Sequence, residues 1–433
     1  MTRPRIPNAH PLRLLRPRLL AGLLLWGGIL SATAALEGSA TLMAMAAVDP
    51  TTLPVESELA QRLRDHVLYL ANPSLKGRKP GTAGNRAAAE YLMARFKDMG
   101  LEPLPSLDGY EHPLPRNLGP NVVGFRRAGH PTGRWLLIGA HYDHLGDEYL
   151  GADDNASAVA ILLETARNLS SLVHYPVLFV AFNAEEAPYI RTAEMGSQVF
   201  MDHLPPEIGK PEAFQAVVIM DLMGGVHWEP IRQTVFAAGA EKSPGLYGRL
   251  KPLLGLPFTP SRLTLHDVAV LPVGMHLVEE IPLLGQVPFS DYDAFRNRQV
   301  PHLFLSSGRT PRYHETTDLP DTLHYERMAA TVRWLTTLLR RLDQDTQPYA
   351  FEPDRLEVAD EVSTFRRLAT LAARDETAIP DTSFWSMRKL REDADWLAGL
   401  DAKTPTADDL SRLERLSIRM QCLLTDLPIC FLI

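Results

Sequence analysis

Residues 139–163, GAHYDHLGDEYLGADDNASAVAILL, carry the side chains in this sequence that are best suited to catalysis. An apolar run that starts at Trp135 ends in His141, and the acidic pair Asp153 and Asp154 opens a second run with helical periodicity. The pattern predicts a buried strand that ends at a histidine and a helix that begins with carboxylates. Histidine and aspartate at adjacent strand and helix ends suit a metal site at the edge of an α/β sheet.

Three further candidate ligands stand in comparable places. Glu186, Asp221 and His314 each come after a predicted strand or in the loop that follows one. In an open parallel sheet the carboxyl ends of the strands share one edge. With His141 and Asp153 they make two histidines and three carboxylates, which suit two divalent metals and one bridging carboxylate. Zinc is the default metal for such nitrogen and oxygen ligands, and cobalt or manganese is chemically compatible.

Each of these residues also has a purely structural interpretation. A histidine at a strand end is often only hydrogen-bonded at the surface, and an aspartate before a helix is usually an N-cap. That interpretation is strong for Asp153 or Asp154 taken alone. It is weaker for Glu185 and Glu186, which end an apolar strand and do not lie on a helix. Five such residues at one sheet edge favour a metal site.

The order of predicted elements indicates an α/β fold, a mostly parallel twisted sheet sandwiched by helices. Strands are predicted at 121–127, 135–142, 176–182, 216–220, 234–238 and 301–305. Helices are predicted at 56–70, 85–99, 155–169, 196–203, 246–254 and 322–342. Amphipathic segments at 354–374, 383–400 and 407–424 predict a C-terminal helical extension. The expected organisation is therefore a linker at 35–52, a catalytic domain at 53–350 and the extension at 351–433.

The N-terminal segment 1–34 has the order of regions found in a secretory signal peptide. Five arginines precede an apolar run at 19–30, and Ala32-x-Ala34 offers a cleavage site. An uncleaved membrane anchor is the alternative. We therefore expect an exported protein, periplasmic or secreted, that contacts the membrane only if this segment is retained. Cys422 and Cys430 form one disulfide or stay as two free thiols, and the sequence leaves both open.

Composition excludes one class of partner. The 433-residue chain has a formal net charge of −8, and its basic residues are scattered outside the N-terminal group. Proteins that bind nucleic acid concentrate basic residues in a patch or stripe. We therefore expect a peptide substrate and no nucleic acid. The sequence does not indicate an oligomeric state.

Short motifs stand at the predicted strand ends: GAHYD at 139–143, GADDNAS at 151–157, EE at 185–186, MDLMG at 220–224 and YHETTD at 313–318. With the loop GRKPGT at 77–82 and SD at 290–291, they resemble the motifs of the M28 zinc exopeptidases, the aminopeptidase Y-like family. The resemblance spans roughly residues 55–345. It implies the zinc-exopeptidase (phosphorylase/hydrolase-like) fold and two zinc ions per chain. Carried over by position, it assigns His141 and Asp221 to one metal, Glu186 and His314 to the other, and Asp153 to the bridge.

The resemblance also implies roles for residues that do not bind metal. Glu185 would be the general base that activates water, so its removal should spare metal binding and lower kcat. Asp143 would hold the His141 ring in its orientation. His144 is expected not to be a ligand.

Two departures from the family pattern affect the expected function. Residues 187–195 make a longer connection than usual between the glutamate pair and Gly196, and Tyr292 stands where a histidine is common. The carboxylate-rich site favours an aminopeptidase, and a carboxypeptidase remains open. The longer loop also resembles that of the glutaminyl-peptide cyclotransferases, which act with one zinc. A non-catalytic binding module would need a lost ligand or base, and none is missing.

Overall fold

An eight-stranded mixed sheet forms the centre of the structure, a computed structural model that describes residues 56–226, 228–255, 267–281, 285–374 and 384–425. The strands follow the order β1-β2-β4-β3-β5-β10-β6-β7 across the sheet. They comprise β1 (Glu111–Pro113), β2 (Pro120–Arg126), β3 (Trp135–His141), β4 (Val177–Phe182), β5 (Phe214–Met220), β6 (Thr234–Ala238), β7 (Ala269–Pro272) and β10 (His302–Ser306). A separate hairpin pairs β8 (Glu280–Ile281) with β9 (Gly285–Gln286).

The four central strands β4, β3, β5 and β10 are parallel neighbours. Every residue of β3, β4 and β5 is buried, as expected of parallel strands that are covered on both faces. Antiparallel pairing is confined to the flanks, between β1 and β2, β2 and β4, and β10 and β6. The sheet is therefore mixed as a whole, with its parallel part at the centre, where the candidate ligands follow the strands.

Helices cover both faces of the sheet, which confirms the predicted α/β class. They are α1 (Glu58–Leu70), α2 (Ala83–Asp98), α3 (Ala158–Asn168), α4 (Gly196–Asp202), α5 (Pro244–Leu250), α6 (Met275–Glu279), α7 (Tyr292–Arg296) and α8 (Tyr325–Leu342). Apolar residues of α1, α2, α3, α5 and α8 form one core with one face of the sheet. Residues of α4 and α7 form a second core with the other face.

Helix α3 begins later than the sequence predicts. An irregular turn, Ala152–Ser157, precedes it, and Asp154 and Asn155 in this turn have torsion angles outside the helical region. The backbone amides of Asp153 and Asp154 donate to the two oxygens of Asp318, at 2.8 and 3.1 Å. The acidic pair is therefore anchored in a loop and does not form a simple helix cap.

The helical C-terminal region is present and consists of α9 (Val358–Arg374), α10 (Phe384–Gly399) and α11 (Ala407–Thr425). Their apolar faces share a core with β7 and α6 through Leu271, Val273 and Leu277. His276 of α6 lies 3.1 Å from Glu361 of α9 and 3.3 Å from Glu414 of α11. These contacts join all three helices, directly or through their shared core, to the far end of the sheet.

Several sequence predictions fall outside the described part of the chain. They are the signal or anchor at 1–34, the linker at 35–52 and Cys430, and with Cys430 the state of the two cysteines. Among the helices that the structure describes, none combines the length and the apolar character needed to cross a membrane.

Candidate metal centre

The four central parallel strands deliver the predicted site residues to one edge of the sheet. His141 is the last residue of β3, and Asp221 directly follows β5. Glu185 and Glu186 come shortly after β4, and His314 lies in the loop after β10. Because these strands are parallel neighbours, their carboxyl ends meet at the same crevice.

Two groups of possible metal ligands face each other across this crevice. In the first, His141 Nε2 lies 3.3 Å from Asp154 Oδ1 and 3.6 Å from Asp221 Oδ1. In the second, His314 Nε2 lies 3.2 Å from Asp154 Oδ2 and 3.2 Å from Glu186 Oε2. The two oxygens of Asp154 therefore contact the two histidines, one each.

This arrangement differs from the sequence prediction, because Asp154 and not Asp153 lies between the histidines. Asp153 Oδ1 accepts hydrogen bonds from the backbone amides of Gly224 and Gly225, at 2.7 and 2.8 Å. The physical reason is the irregular turn, in which Asp154 has φ −106° and ψ 92°. In the sequence either aspartate fits the same pattern, so only the backbone path separates them.

His144 also belongs to the centre, although the sequence analysis set it aside. Its ring is fully buried, and its Nδ1 lies 2.8 Å from Glu186 Oε1 and 3.9 Å from Asp154 Oδ2. His144, Asp154 and Glu186 are close enough together to share an ion. Its position three residues after His141, in the turn at the end of β3, was the available signal.

Asp143 connects the glutamate pair that follows β4 with His141 at the end of β3. Its Oδ1 and Oδ2 accept hydrogen bonds from the backbone amides of Glu185 and Glu186, at 3.1 and 3.2 Å. The same Oδ1 lies 3.6 Å from His141 Nδ1. One buried carboxylate thus links the ends of β3 and β4, and the backbone carbonyl of Asp143 lies 3.2 Å from His141 Nδ1.

Arg78 is a supporting residue whose role the sequence did not reveal. The guanidinium is fully buried and donates hydrogen bonds to the carbonyls of Tyr142, Leu150 and Gly151, at 2.7, 2.7 and 3.0 Å. It thereby fixes both ends of the loop between His141 and the acidic pair. The glycine before it, Gly77, has φ +61°, and a Cβ there would lie 2.3 Å from the Tyr149 carbonyl oxygen. The GRKPGT loop was the signal for this clamp.

The centre concentrates ionisable groups that perturb one another. Burial raises the pKa of Glu185 well above its usual value, against the opposing effect of His141. Burial also disfavours ionised Asp154, but the nearby His141 and His314 rings outweigh it and hold its pKa well below normal. Burial lowers the pKa of His314, while Asp154 and Glu186 outweigh it and raise that pKa to about 10. So many buried carboxylates can stay ionised together only if positive charge lies close to them.

Unsatisfied atoms at the centre test whether its residues fit a metal. His141 Nε2, His314 Nε2, Asp221 Oδ1 and Glu185 Oε1 are buried and have no hydrogen-bond partner among the described residues. Buried polar atoms are normally paired, so a convergent set of unpaired ones needs an explanation. The imidazole nitrogens and carboxylate oxygens are of the kind that bind Zn²⁺. The residues therefore fit a metal centre.

Comparison with known proteins decides the family. The model of peptidase family M28 matches residues 121–339, which is half of the chain and includes every residue of the two ligand groups. The chain belongs to peptidase family M28. Membership of M28 makes it a metal-dependent exopeptidase.

Relatives of this M28 peptidase include one curated protein and several solved structures. It is 30% identical over 272 residues to YfbL of Escherichia coli, an uncharacterized protein, covering 58% of this chain and 79% of YfbL. LapB from Legionella pneumophila has a TM-score of 0.50 at 21% identity, covering 66% of this chain and 72% of LapB. BSAP, a zinc aminopeptidase from Bacillus subtilis, has a TM-score of 0.50 at 14% identity, covering 69% of this chain and 98% of BSAP. At these identities the two structures show that the M28 peptidase shares their fold.

Proposed function

We propose that this M28 peptidase is an aminopeptidase that binds two zinc ions and uses Glu185 as its general base. The observation that carries the proposal is the Asp154 carboxylate, whose two oxygens lie 3.3 Å from His141 Nε2 and 3.2 Å from His314 Nε2. A carboxylate with one oxygen for each of two metals is the usual bridge of a dinuclear hydrolase. This geometry supports Asp154, in place of Asp153, as the bridging carboxylate that we propose.

The remaining ligands follow from the two groups. One metal would bind His141 and Asp221, and the other would bind Glu186 and His314. His314 is preferred to His144 because its Nε2 lies 3.2 Å from carboxylate oxygens of both Asp154 and Glu186. His144 instead contacts Glu186 at 2.8 Å and is 3.9 Å from Asp154, so we assign it to orienting Glu186.

The contacts of Glu185 support its proposed role in proton transfer. Its backbone amide is held by Asp143, its Oε2 lies 3.8 Å from His141 Nε2, and its Oε1 has no hydrogen-bond partner among the described residues. Bound zinc ions would acidify a water molecule and polarise the scissile carbonyl. Glu185 would take a proton from that water and return it to the leaving amine.

The charge of the crevice supports an amino-terminal specificity. Asp291 lies deeply buried beside the centre, with both carboxylate oxygens unpaired among the described residues. Burial raises the pKa of Asp291 to about 7, against the opposing effect of His141. The crevice is therefore rich in carboxylates, with Glu185, Glu186 and Asp221 near Asp291, and those that are ionised would favour a peptide's α-ammonium group over a C-terminal carboxylate.

The test combines metal content with hydrolysis. We expect two zinc equivalents per chain and cleavage of aminoacyl-aminomethylcoumarins. Glu185→Gln should keep both zinc ions and lose roughly 10²- to 10⁴-fold in kcat, the usual share of a general base. Glu212→Gln is the matched control, because Glu212 is exposed at the amino end of β5, at the opposite edge of the sheet.

The alternatives predict different results in the same assays. One zinc equivalent with cyclisation of N-terminal glutamine would identify a glutaminyl-peptide cyclotransferase. Release of C-terminal residues from peptides would identify a carboxypeptidase. A protein that holds two zinc ions and keeps full activity as Glu185→Gln would refute the assigned base.

We also propose that the protein is exported, with residues 1–34 as the signal peptide or anchor. The support is the arginine-rich start followed by the apolar run and Ala32-x-Ala34. Cell fractionation with N-terminal sequencing of the mature protein tests this. A cytoplasmic protein that begins at Met1 would contradict it.

A further inference from the structure

Arg309 is an exposed cation at the mouth of the metal centre, in the loop that joins β10 to His314. Its guanidinium carbon lies 4.6 Å from the centre of the Tyr313 ring and 5.7 Å from the centre of the Phe289 ring. Within the described part of the chain, no carboxylate forms an ion pair with it. Two aromatic rings therefore hold this guanidinium in place, without a negative charge to satisfy it.

The two rings lie beside different groups of the possible metal ligands, Tyr313 beside the group of His314 and Phe289 beside the group of His141. The Tyr313 ring stacks on the His314 ring, with 3.8 Å between ring centres and 18° between planes, so one ring separates Arg309 from a proposed metal ligand. Phe289 directly precedes Ser290 and Asp291, which lie beside the ligand group that contains His141 and Asp221. Arg309 thus lies at the outer edge of the crevice, between the ligand group of His141 and that of His314.

The charge beneath Arg309 is negative. The Tyr313 ring stacks on His314, whose Nε2 lies 3.2 Å from Asp154 Oδ2 and 3.2 Å from Glu186 Oε2, so two buried carboxylates lie behind the ring. Tyr313 therefore lies between these carboxylates and the positive charge of Arg309. A substrate that binds its α-ammonium group beside the buried carboxylates would direct the residue after the scissile bond outward, towards Arg309.

We propose that Arg309 binds a carboxylate on the residue that follows the scissile bond. A guanidinium that contacts ring faces forms no hydrogen bonds with them, so its N–H groups remain available, and two of them match a carboxylate in a two-point contact. The carboxylate is either the C-terminus of a dipeptide or the side chain of an acidic second residue. This specificity rests on the proposed aminopeptidase function.

The test compares substrates that share one N-terminal residue, Xaa, chosen as the residue that the wild-type enzyme releases fastest. We expect kcat/KM for Xaa-Ala to exceed that for Xaa-Ala-amide by about three- to tenfold, as for a partly exposed charged contact. In Arg309→Gln the ratio should fall to about one, and Arg309→Lys should retain part of it because the charge remains. Comparison of Xaa-Asp-amide with Xaa-Asn-amide shows whether a side-chain carboxylate is accepted as well.

Arg312→Gln is the matched control, because it removes the same charge from the same loop. An unchanged ratio in Arg309→Gln would overturn the proposal, and so would an equal loss in Arg312→Gln, which would indicate only a general field effect. Calorimetric binding of Xaa-Ala and Xaa-Ala-amide to zinc-loaded Glu185→Gln, with and without Arg309→Gln, separates this proposal from the proposed function. If the wild-type enzyme hydrolyses none of the peptides, the proposed function fails, and the binding ratio still decides the role of Arg309.

Discussion

Replacing each member of the adjacent acidic pair by asparagine should have two distinct effects. Asp154→Asn removes the charge that faces both His141 and His314, so we expect the zinc content to fall from two equivalents to one or fewer. Asp153→Asn leaves those contacts intact and should keep both zinc ions. The two side chains differ by one position in the chain, so each variant is the control for the other.

The magnitude for Asp153 follows from its contacts. The carboxylate accepts hydrogen bonds from the amides of Gly224 and Gly225, and an asparagine oxygen still accepts both. Burial and the neighbouring Asp318 raise the pKa of Asp153 to about 7, so folding does not favour its ionised form, and a neutral asparagine should change the free energy of unfolding by less than about 1 kcal/mol. Asp153→Ala would leave two buried amides unpaired and should cost about 2–5 kcal/mol.

Zinc is measured by mass spectrometry after dialysis, and stability by urea unfolding of the metal-free protein. Metal-free protein is required because bound metal stabilises the folded state by itself. The reasoning would be refuted if Asp153→Asn lost zinc while Asp154→Asn retained two equivalents. That result would restore Asp153 as the bridge.

Two further changes test the support of the site and the attachment of the C-terminal helices. Arg78→Gln should cost about 3–5 kcal/mol in unfolding free energy, because it leaves buried backbone carbonyls without their charged donor; a loss under about 1 kcal/mol in urea unfolding would contradict the clamp. Burial lowers the pKa of His276, but Glu361 and Glu414 outweigh it, so the pKa is raised in the folded protein. The folded state therefore binds the proton more tightly, and this stability is complete below the unfolded pKa of about 6.5 and is lost as the pH rises through the folded value. Urea unfolding between pH 6 and pH 9 should show this loss in the wild-type protein and a smaller one in His276→Asn; equal slopes would contradict it.

The central part of the fold was predictable because its physical signals are local. Strands β3, β4 and β5 are continuous apolar runs, and such runs read as buried parallel strands whatever surrounds them. The polar residues that end each run or follow it within a few positions are then placed at the crevice by topology alone. This is why His141, Glu186 and Asp221 were found together from the sequence.

Other parts depend on contacts between distant residues. The region 244–296 is rich in proline and glycine, and the sequence did not predict β7, α6 or α7 within it. The position of Asp154 depends on Asp318, which is more than 160 residues away and fixes the turn through two amides. No local pattern contains that information, so Asp153 and Asp154 could not be separated before the structure.

From the position of β7 we infer that the C-terminal helices shield an edge of the sheet. This strand is the last in the sheet order, and Leu271 within it and Val273 just after it belong to the apolar core that α9, α10 and α11 share. An outer strand with uncovered apolar side chains is a template for pairing with other chains and for aggregation. A shortened chain that ended at residue 350 would keep every proposed zinc ligand, yet it would expose this surface. We therefore expect a shortened enzyme that lacks the extension to aggregate more readily than the full chain.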